Sequence, residues 1–280
     1  MLLVPTIALG AIALALPPVR GVEASASSCA ASPAPISAPS LAGEALDSEP
    51  VRLTARDGRK LEGTFYPVPK VNDPVAAVLL IHDLGADRAQ LEPLVERLVK
   101  KKLAVLTFDL RGHGASADEE CDWSAMDEAA QSRLVPFMVH DIGAAMEWLS
   151  DDSRVLGARQ HVIGQGFGAL LAARAAADER VTSLTLIEPQ LDAHNFQLAG
   201  LLDDAAGLPM QLVAPKDACE RYETFLKDEE LEDVIEIQAV KCDAGECAGD
   251  KRFGTSLSKW VDDRRDGATS GTSGGKRKRG

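Results

Sequence analysis

The sequence contains little histidine, and the C-terminal end of the chain contains none. Only five histidines occur in 280 residues, and the last of them is His194. Histidine is the side chain that most often takes a proton from a serine or cysteine nucleophile. The absence of imidazole beyond residue 194 therefore excludes a histidine base from that whole segment.

Basic residues are scarce relative to acidic ones. Lysine and arginine number 30 against 43 aspartates and glutamates, which gives a formal net charge of −13. A nucleic-acid-binding protein needs a basic face to neutralise phosphates, so nucleic acid is excluded as the main partner. The basic run at residues 276–279 follows a Gly/Ser/Thr-rich segment. We interpret residues 265–280 as a flexible basic tail.

Apolar runs that approach the length of a membrane span are missing except at the N-terminus. Residues 2–16 are almost wholly apolar but too few for a confident membrane span, and Ala24-Ser25-Ala26 is a cleavage-like pattern. This pattern predicts a secretory signal peptide over residues 1–26, although its first residues carry no lysine or arginine. We therefore expect an exported protein, located in the periplasm, the cell envelope or the medium.

The segment that follows the predicted signal peptide is low in complexity. Residues 27–50 are rich in alanine, serine and proline, and they predict a flexible linker to a folded domain over residues 51–264. Cys29 follows two serines and is a poor lipoprotein acceptor, because Ala26 stands where leucine is usual. A lipid anchor at Cys29 is the one membrane contact that the sequence offers.

Cysteine is sparse, and its pairing is open. When Cys29 is set aside, the other four are Cys121, Cys219, Cys242 and Cys247, which allow three disulfide pairings. The last two are close in sequence, so they are the first candidates for a disulfide in an exported protein. Zinc is poorly supported, because no histidine lies nearby and a C-x4-C pair lacks a second pair of ligands. We expect neither a metal nor a cofactor.

The sequence does contain a regular alternation of strand and helix patterns. Apolar residues alternate on both sides of Asp57-Gly58, which predicts an antiparallel hairpin with a two-residue turn. From residue 75, unbroken apolar runs alternate with helical patterns, which predicts a mostly parallel sheet with right-handed crossovers. The predicted strands are 75–81, 103–108, 161–164, 182–187, 210–214 and 233–240. The predicted helices are 91–99, 138–149, 167–178, 222–226 and 257–261. Residues 115–133 are predicted to be irregular.

The most informative stretch is residues 161–178, which predict a buried strand, a glycine-rich turn and a helix. A strand that enters a helix through G-x-X-x-G is the geometry that presents a nucleophile above a sheet, where X is usually serine. Residues 164–168 read Gly-Gln-Gly-Phe-Gly and put Gly166 at the nucleophile position. The strained backbone of such a turn suits glycine, so loss of the serine could stabilise the fold while ending the chemistry.

The same residues fit a second pattern. Gly164, Gly166 and Ala169 match one form of the dinucleotide-binding fingerprint, and Glu188 lies at a distance suited to a ribose hydroxyl. Glycines at a helix N-terminus also suit a pyrophosphate. Against this alternative, the turn lies deep in the chain rather than after the first strand, and nicotinamide cofactors are scarce outside the cell.

Two further segments resemble the α/β-hydrolase family of serine esterases, lipases and dienelactone hydrolases. Residues 81–85, Ile-His-Asp-Leu-Gly, resemble the family's His-Gly-x-x-Gly oxyanion loop, although Asp83 replaces a glycine. Residues 109–116 are close to the family's Asp-x-Arg-Gly-His-Gly-x-Ser turn. The resemblance covers about residues 51–264 and implies an α/β-hydrolase fold, with about eight mostly parallel strands, an N-terminal antiparallel hairpin and helices on both faces.

The resemblance also assigns positions of the catalytic machinery. The backbone N–H groups of Leu84 and Phe167 would stabilise an oxyanion. Gly166 stands at the nucleophile position, and Asp217 stands where the acid is common, with helix capping as its alternative role. Glu246 occupies the position of the triad histidine, in a loop that resembles the family's Ala-Gly-His-Gly loop. A carboxylate is a poor proton acceptor from a hydroxyl at neutral pH.

The leading hypothesis is therefore an exported α/β-hydrolase-fold pseudoenzyme that binds an unknown small molecule or protein. One alternative is an esterase with an unrecognised base and nucleophile, and the other is the dinucleotide-binding protein. Cys247 is the one nucleophile near the active-site edge, but it has a candidate disulfide partner. His194 lies between two predicted strands, where it could lean over the pocket, although exposed loop histidines are mostly solvated.

Overall fold

The computed structural model describes residues 46–205 and 207–265. The predicted signal peptide, Cys29, most of the predicted linker and nearly all of the predicted basic tail lie outside the described residues. Within the described part of the chain, no helix combines the length and apolar character needed to cross a membrane.

The folded domain is built on one eight-stranded sheet, as the sequence predicts. The strand order is β1-β2-β4-β3-β5-β6-β9-β10, and a separate two-residue hairpin pairs β7 with β8. The strands β1 to β10 are Glu49–Thr54, Lys60–Tyr66, Val75–Ile81, Ala104–Phe108, Val155–Gln165, Val181–Ile187, Asp192–Ala193, Phe196–Gln197, Met210–Pro215 and Ile235–Val240. The helices α1 to α7 are Glu92–Lys100, Glu128–Leu134, Met138–Asp151, Phe167–Ala175, Leu198–Asp204, Cys219–Asp228 and Lys251–Asp262.

The strand directions confirm the predicted fold class. β2 runs antiparallel to both β1 and β4, while every other neighbouring pair in the large sheet is parallel. Because the parallel strands share one direction, their carboxyl ends meet at one edge of the sheet. The loops that follow β3, β4, β5, β6, β9 and β10 therefore gather there.

Alternate strand residues explain why the apolar runs are unbroken. Leu79 on β3 faces a core cluster that includes residues of α3 and α4, whereas its neighbour Val78 faces a cluster that includes residues of α1 and α7. Both residues are fully buried. A strand covered by helices on both faces has no solvent-facing position, and this favours the continuous apolar runs seen in the sequence.

Three local predictions were wrong. The turn between β1 and β2 contains five residues, 55–59, rather than two. Residues 115–133 were expected to be irregular, but they contain α2, which Asp127 caps by accepting a hydrogen bond from the N–H of Ala130. β5 begins at Val155 rather than at residue 161 because its first half is only partly buried and lacks a continuous apolar run.

A buried ion pair fixes the loop that follows β4. The guanidinium of Arg111 donates from Nε to Asp141 Oδ1 at 2.9 Å, and the backbone N–H of Arg111 donates to Asp141 Oδ2 at 3.0 Å. Asp57 accepts from the outer edge of the same guanidinium. This network ties the loop after β4 to helix α3 and to the β1–β2 turn, and so places His113 beside the sheet edge.

Candidate functional site

The turn between β5 and α4 has the backbone geometry expected of a nucleophile elbow. Gly166 has φ 57° and ψ −119°, a conformation that side-chain-bearing residues rarely adopt. The outer glycines let helix and strand pack closely: a Cβ atom on Gly164 would lie 2.1 Å from the Gly168 carbonyl oxygen, and one on Gly168 would lie 2.3 Å from the His82 carbonyl oxygen. All three glycines are therefore required by the shape of the turn.

The carboxylate of Asp83 fills the space in front of this elbow. Its Oδ1 accepts hydrogen bonds from the backbone N–H of Phe167 at 2.7 Å and from that of Leu84 at 2.8 Å. A Cβ atom on Gly166 would lie 2.1 Å from both Cγ and Oδ2 of Asp83. The two N–H groups that the sequence predicts as oxyanion donors therefore converge on one oxygen, which belongs to the protein itself.

The loop that carries Asp83 is anchored by its neighbours. The N–H of Asp83 donates to Gln90 Oε1 at 2.8 Å, and His82 bonds the Asp83 carbonyl through Nδ1 at 2.7 Å. The N–H of Leu110 donates to His82 Nε2 at 3.0 Å, so the proton of the neutral ring sits on Nδ1. Burial lowers the pKa of His82 to about 4, which keeps the ring neutral near pH 7.

The electrostatics at Asp83 combine opposing effects. Burial raises the pKa of its carboxyl above the ordinary value, while the hydrogen bonds from Phe167 and Leu84 and the nearby His113 oppose the rise. The net direction is upward, so removal of water outweighs the two hydrogen bonds. The carboxyl lies at the N-terminus of α4, which favours its charged form and so acts against the effect of burial.

Comparison with known proteins identifies the family. Residues 78–267 match the model of the Alpha/beta hydrolase family. The chain belongs to the α/β-hydrolase family. Uncharacterized proteins from two strains of Mycobacterium tuberculosis are each 31% identical over 139 residues, which make up 50% of this chain and 44% of the relative. The chain therefore spans about half the length of the curated relatives it matches.

Solved hydrolase structures share the architecture. An esterase of Pyrococcus furiosus superposes with a TM-score of 0.61 at 17% identity, covering 79% of this chain and 94% of the esterase. A dienelactone hydrolase of Anabaena variabilis gives a TM-score of 0.58 at 17% identity, covering 78% and 96%. At this identity the similarity shows a shared fold.

The positions that correspond to the hydrolase triad are not joined by hydrogen bonds or ion pairs in the described part of the chain. Asp217 and Glu246 are both exposed, and no hydrogen bond or ion pair within residues 46–205 and 207–265 joins either of them to Gly166. The capping role for Asp217 was wrong, because Ala218 occupies the N-cap of α6 and no side chain caps that helix. Glu246 lies beside a groove that also contains Gln90 and Lys241.

A group of aromatic rings covers the elbow. His194 contacts the ring of Phe167 with 5.6 Å between centroids, and Phe196 contacts the same ring at 5.5 Å. Trp123 meets His194 at 6.3 Å and stacks on His113 at 4.9 Å. His194 does lean over the position of the hydrolase pocket, but no carboxylate among the described residues pairs with its ring.

His113 has one unsatisfied ring nitrogen. Its Nδ1 lies 2.9 Å from the carbonyl oxygen of Arg111, while its Nε2 is buried without a hydrogen-bond partner in the described part of the chain. Burial lowers the pKa of this ring, although the surrounding carboxylates oppose the shift. His113 is therefore neutral at pH 7, with its lone pair on Nε2.

Glu188 and the loop after β10 close the other side of the elbow. Glu188 Oε2 accepts from the N–H of Gly245 at 2.8 Å, and Gln165 Nε2 donates to the Gly245 carbonyl at 2.7 Å. Cys242 and Cys247 form a disulfide within this loop, while Cys121 and Cys219 are free and buried. For the dinucleotide alternative, this means that Glu188 is engaged with the loop and that the N-terminus of α4 is taken by Asp83.

Sequence reasoning missed the role of Asp83. The replacement of a glycine in the oxyanion loop was visible, and so was the glycine at the nucleophile position, but each was considered alone. Their complementary sizes were the available signal: a side chain is gained at residue 83 and lost at residue 166. The contact of Glu188 with Gly245 and the covering rings of Trp123 and Phe196 had no comparable signal.

Proposed function

We propose that this chain is an exported α/β-hydrolase-family protein that does not hydrolyse esters and acts by binding a small molecule or a protein. One observation carries the proposal. The Asp83 carboxylate accepts both N–H groups that would stabilise an oxyanion, and it stands 2.1 Å from where a nucleophile's Cβ would begin.

The chemistry of ester hydrolysis explains why this arrangement argues against turnover. The negative charge that develops on the carbonyl oxygen needs free N–H donors. Here a carboxylate already holds them, and its charge would repel a developing oxyanion. The attack also needs a nucleophile and a proton acceptor, whereas residue 166 is glycine and Glu246 is an exposed carboxylate.

The binding role and the export rest on other observations. A groove of about 560 Å³ runs beside the loop after β10 and is lined by residues of both charge signs, including Lys241 and Asp250. Such a groove is large enough for a small ligand or a peptide side chain. The Cys242–Cys247 disulfide suits an oxidising compartment, which agrees with the signal-peptide pattern of residues 1–26.

The proposal is tested with p-nitrophenyl acetate and butyrate and with a fluorophosphonate that labels serine nucleophiles. We expect no hydrolysis above a heat-denatured sample and no labelling, with the Pyrococcus furiosus esterase as positive control. Gly166→Ser alone should also remain inactive, because the proton acceptor is missing. Hydrolysis by the wild-type protein that is lost in Asp217→Ala would instead support the esterase alternative.

A further inference from the structure

The side chain of Glu188 lies against the disulfide of the loop after β10. One carboxylate oxygen of Glu188 and the sulfur atoms of Cys242 and Cys247 all lie within 4.8 Å of one another. The carboxylate comes from the end of β6 and the sulfurs from the loop after β10, so the fold brings together donors that are more than fifty residues apart in sequence. From the sequence, zinc was poorly supported at these cysteines, because no histidine lies nearby and a C-x4-C pair lacks a second pair of ligands.

Two features show that the position of Glu188 is energetically unfavourable. Its backbone has φ 48°, in the left-handed region, which costs a residue other than glycine on the order of 1–3 kcal/mol. Its Oε1 is buried and forms no hydrogen bond of good geometry within the described residues, although Oε2 accepts from Gly245 and the backbone N–H of Cys247 also interacts with the carboxylate. A buried carboxylate oxygen without a partner is unfavourable unless a further group binds it.

The charge around Glu188 favours a cation as that group. Its electrostatic neighbours Asp83 and Asp217 are both acidic. No basic side chain in the described part of the chain forms an ion pair with it. A divalent cation would supply the missing partner and would offset the surrounding negative charge.

We propose that reduction of the Cys242–Cys247 disulfide creates a binding site for a divalent metal ion of the zinc class, with Cys242, Cys247 and Glu188 as its three protein ligands. Thiolate and carboxylate are both normal zinc ligands, at about 2.3 and 2.0–2.2 Å, and tetrahedral geometry sets two such sulfurs about 3.8 Å apart. The three donors lie within 4.8 Å of one another, and the two sulfurs can move apart to this spacing once the sulfur–sulfur bond is broken. The fourth position stays open to solvent, and the groove beside Cys242 provides the path of entry.

The chemistry balances with a phosphine as the reductant. The disulfide gains two electrons and two protons and becomes two thiols, while the phosphine becomes its oxide and takes the oxygen of water. Binding of the metal then releases the two thiol protons, since the thiolate is the ligand. The disulfide and the metal are alternative states of the same pair of sulfurs, so the oxidised protein cannot bind the ion at this site.

The test is a titration of the full chain with Co²⁺ in the absence of oxygen, before and after phosphine reduction. We expect the reduced protein to bind about one Co²⁺ and to show thiolate-to-cobalt charge transfer and the intense visible bands of a tetrahedral site. The oxidised protein should show neither. Competition with Zn²⁺ should abolish both signals.

Variants distinguish the three proposed ligands from the thiols that should not bind the metal. Cys247→Ser should abolish the charge-transfer band, and Glu188→Gln should weaken binding at least about tenfold, as loss of a ligand requires. Cys121→Ser with Cys219→Ser is the matched control and should bind like wild type, because burial raises the pKa of both thiols and keeps them protonated. Urea unfolding of each variant separates loss of binding from loss of fold.

Three outcomes would overturn the proposal: equal Co²⁺ binding by the oxidised and reduced proteins, no binding by the reduced wild type, or wild-type affinity in a folded Glu188→Gln variant. None of them bears on ester hydrolysis, which is measured separately and does not depend on this site.

Discussion

Gly166→Ser is expected to lower the free energy of unfolding by about 3–5 kcal/mol. The residue has a positive φ, which costs a side-chain-bearing residue about 1–3 kcal/mol. Its new Cβ would also lie 2.1 Å from the carboxylate of Asp83, which must rotate away and leave the N–H groups of Phe167 and Leu84. A hydrogen bond to a charged group contributes about 1.5–3 kcal/mol to stability. Urea denaturation monitored by circular dichroism measures the change.

The contribution of Asp83 is isolated by a double-mutant cycle. Asp83→Ala removes the carboxylate and keeps Cβ, so we expect Gly166→Ser to cost about 2 kcal/mol less in that background. Gly143→Ser is the matched control, because a Cβ atom on this helical glycine meets nothing within 4 Å, and it should be nearly neutral. Additive effects of the two substitutions would show that Asp83 does not occupy the space in front of Gly166.

Asp141→Ala is expected to lower the free energy of unfolding by about 3–5 kcal/mol, the usual cost of removing one partner of a buried ion pair. The Asp141 side chain is 0% exposed and that of Arg111 is 5% exposed, so the guanidinium would remain buried with only Asp57 to pair it. The loop after β4 would also lose its hydrogen bonds to α3, which the backbone N–H, Nε and Nη2 of Arg111 donate to Asp141. Thermal and urea unfolding both report the loss.

Asp57→Ala provides the comparison for this prediction. Asp57 contacts the same guanidinium, but its side chain is 29% exposed. In Asp57→Ala, water can therefore replace much of the lost interaction with Arg111. We expect a cost of about 1 kcal/mol or less. Equal costs for the two alanine variants would mean that burial does not govern the strength of this network, contrary to our account.

Most of the fold could be predicted from the pattern of apolar residues. β3 is buried on both faces, so its sequence is a continuous apolar run, and α1 buries one face, so Leu94 and Leu98 recur at helical spacing. The elements that escaped prediction are short: β7 and β8 contain two residues each, α2 has no buried residue, and α5 buries only Leu198 and Leu202 over seven residues. Without a buried face, a short element leaves no periodic signal.

The site was predictable as a set of loops but not as a set of contacts. The resemblance to the hydrolase family assigned Leu84 and Phe167 as oxyanion donors, and the parallel strands β3 and β5 bring their two loops to the same sheet edge. The direction of the Asp83 side chain depends on the packing of both loops, and the approach of Glu188 to Gly245 depends on a strand more than fifty residues away. Neither can be obtained from spacing along the chain.

The most direct test of the central claim is an NMR pH titration of the amide protons of Phe167 and Leu84. If the Asp83 carboxylate accepts both N–H groups, the two resonances shift together with the Asp83 carboxyl carbon, at a pKa above the ordinary value of 3.8, and neither titrates in Asp83→Ala. Amide shifts that stay flat while the Asp83 carboxyl carbon titrates would show that the two donors are free, and would contradict the account of an occupied oxyanion hole.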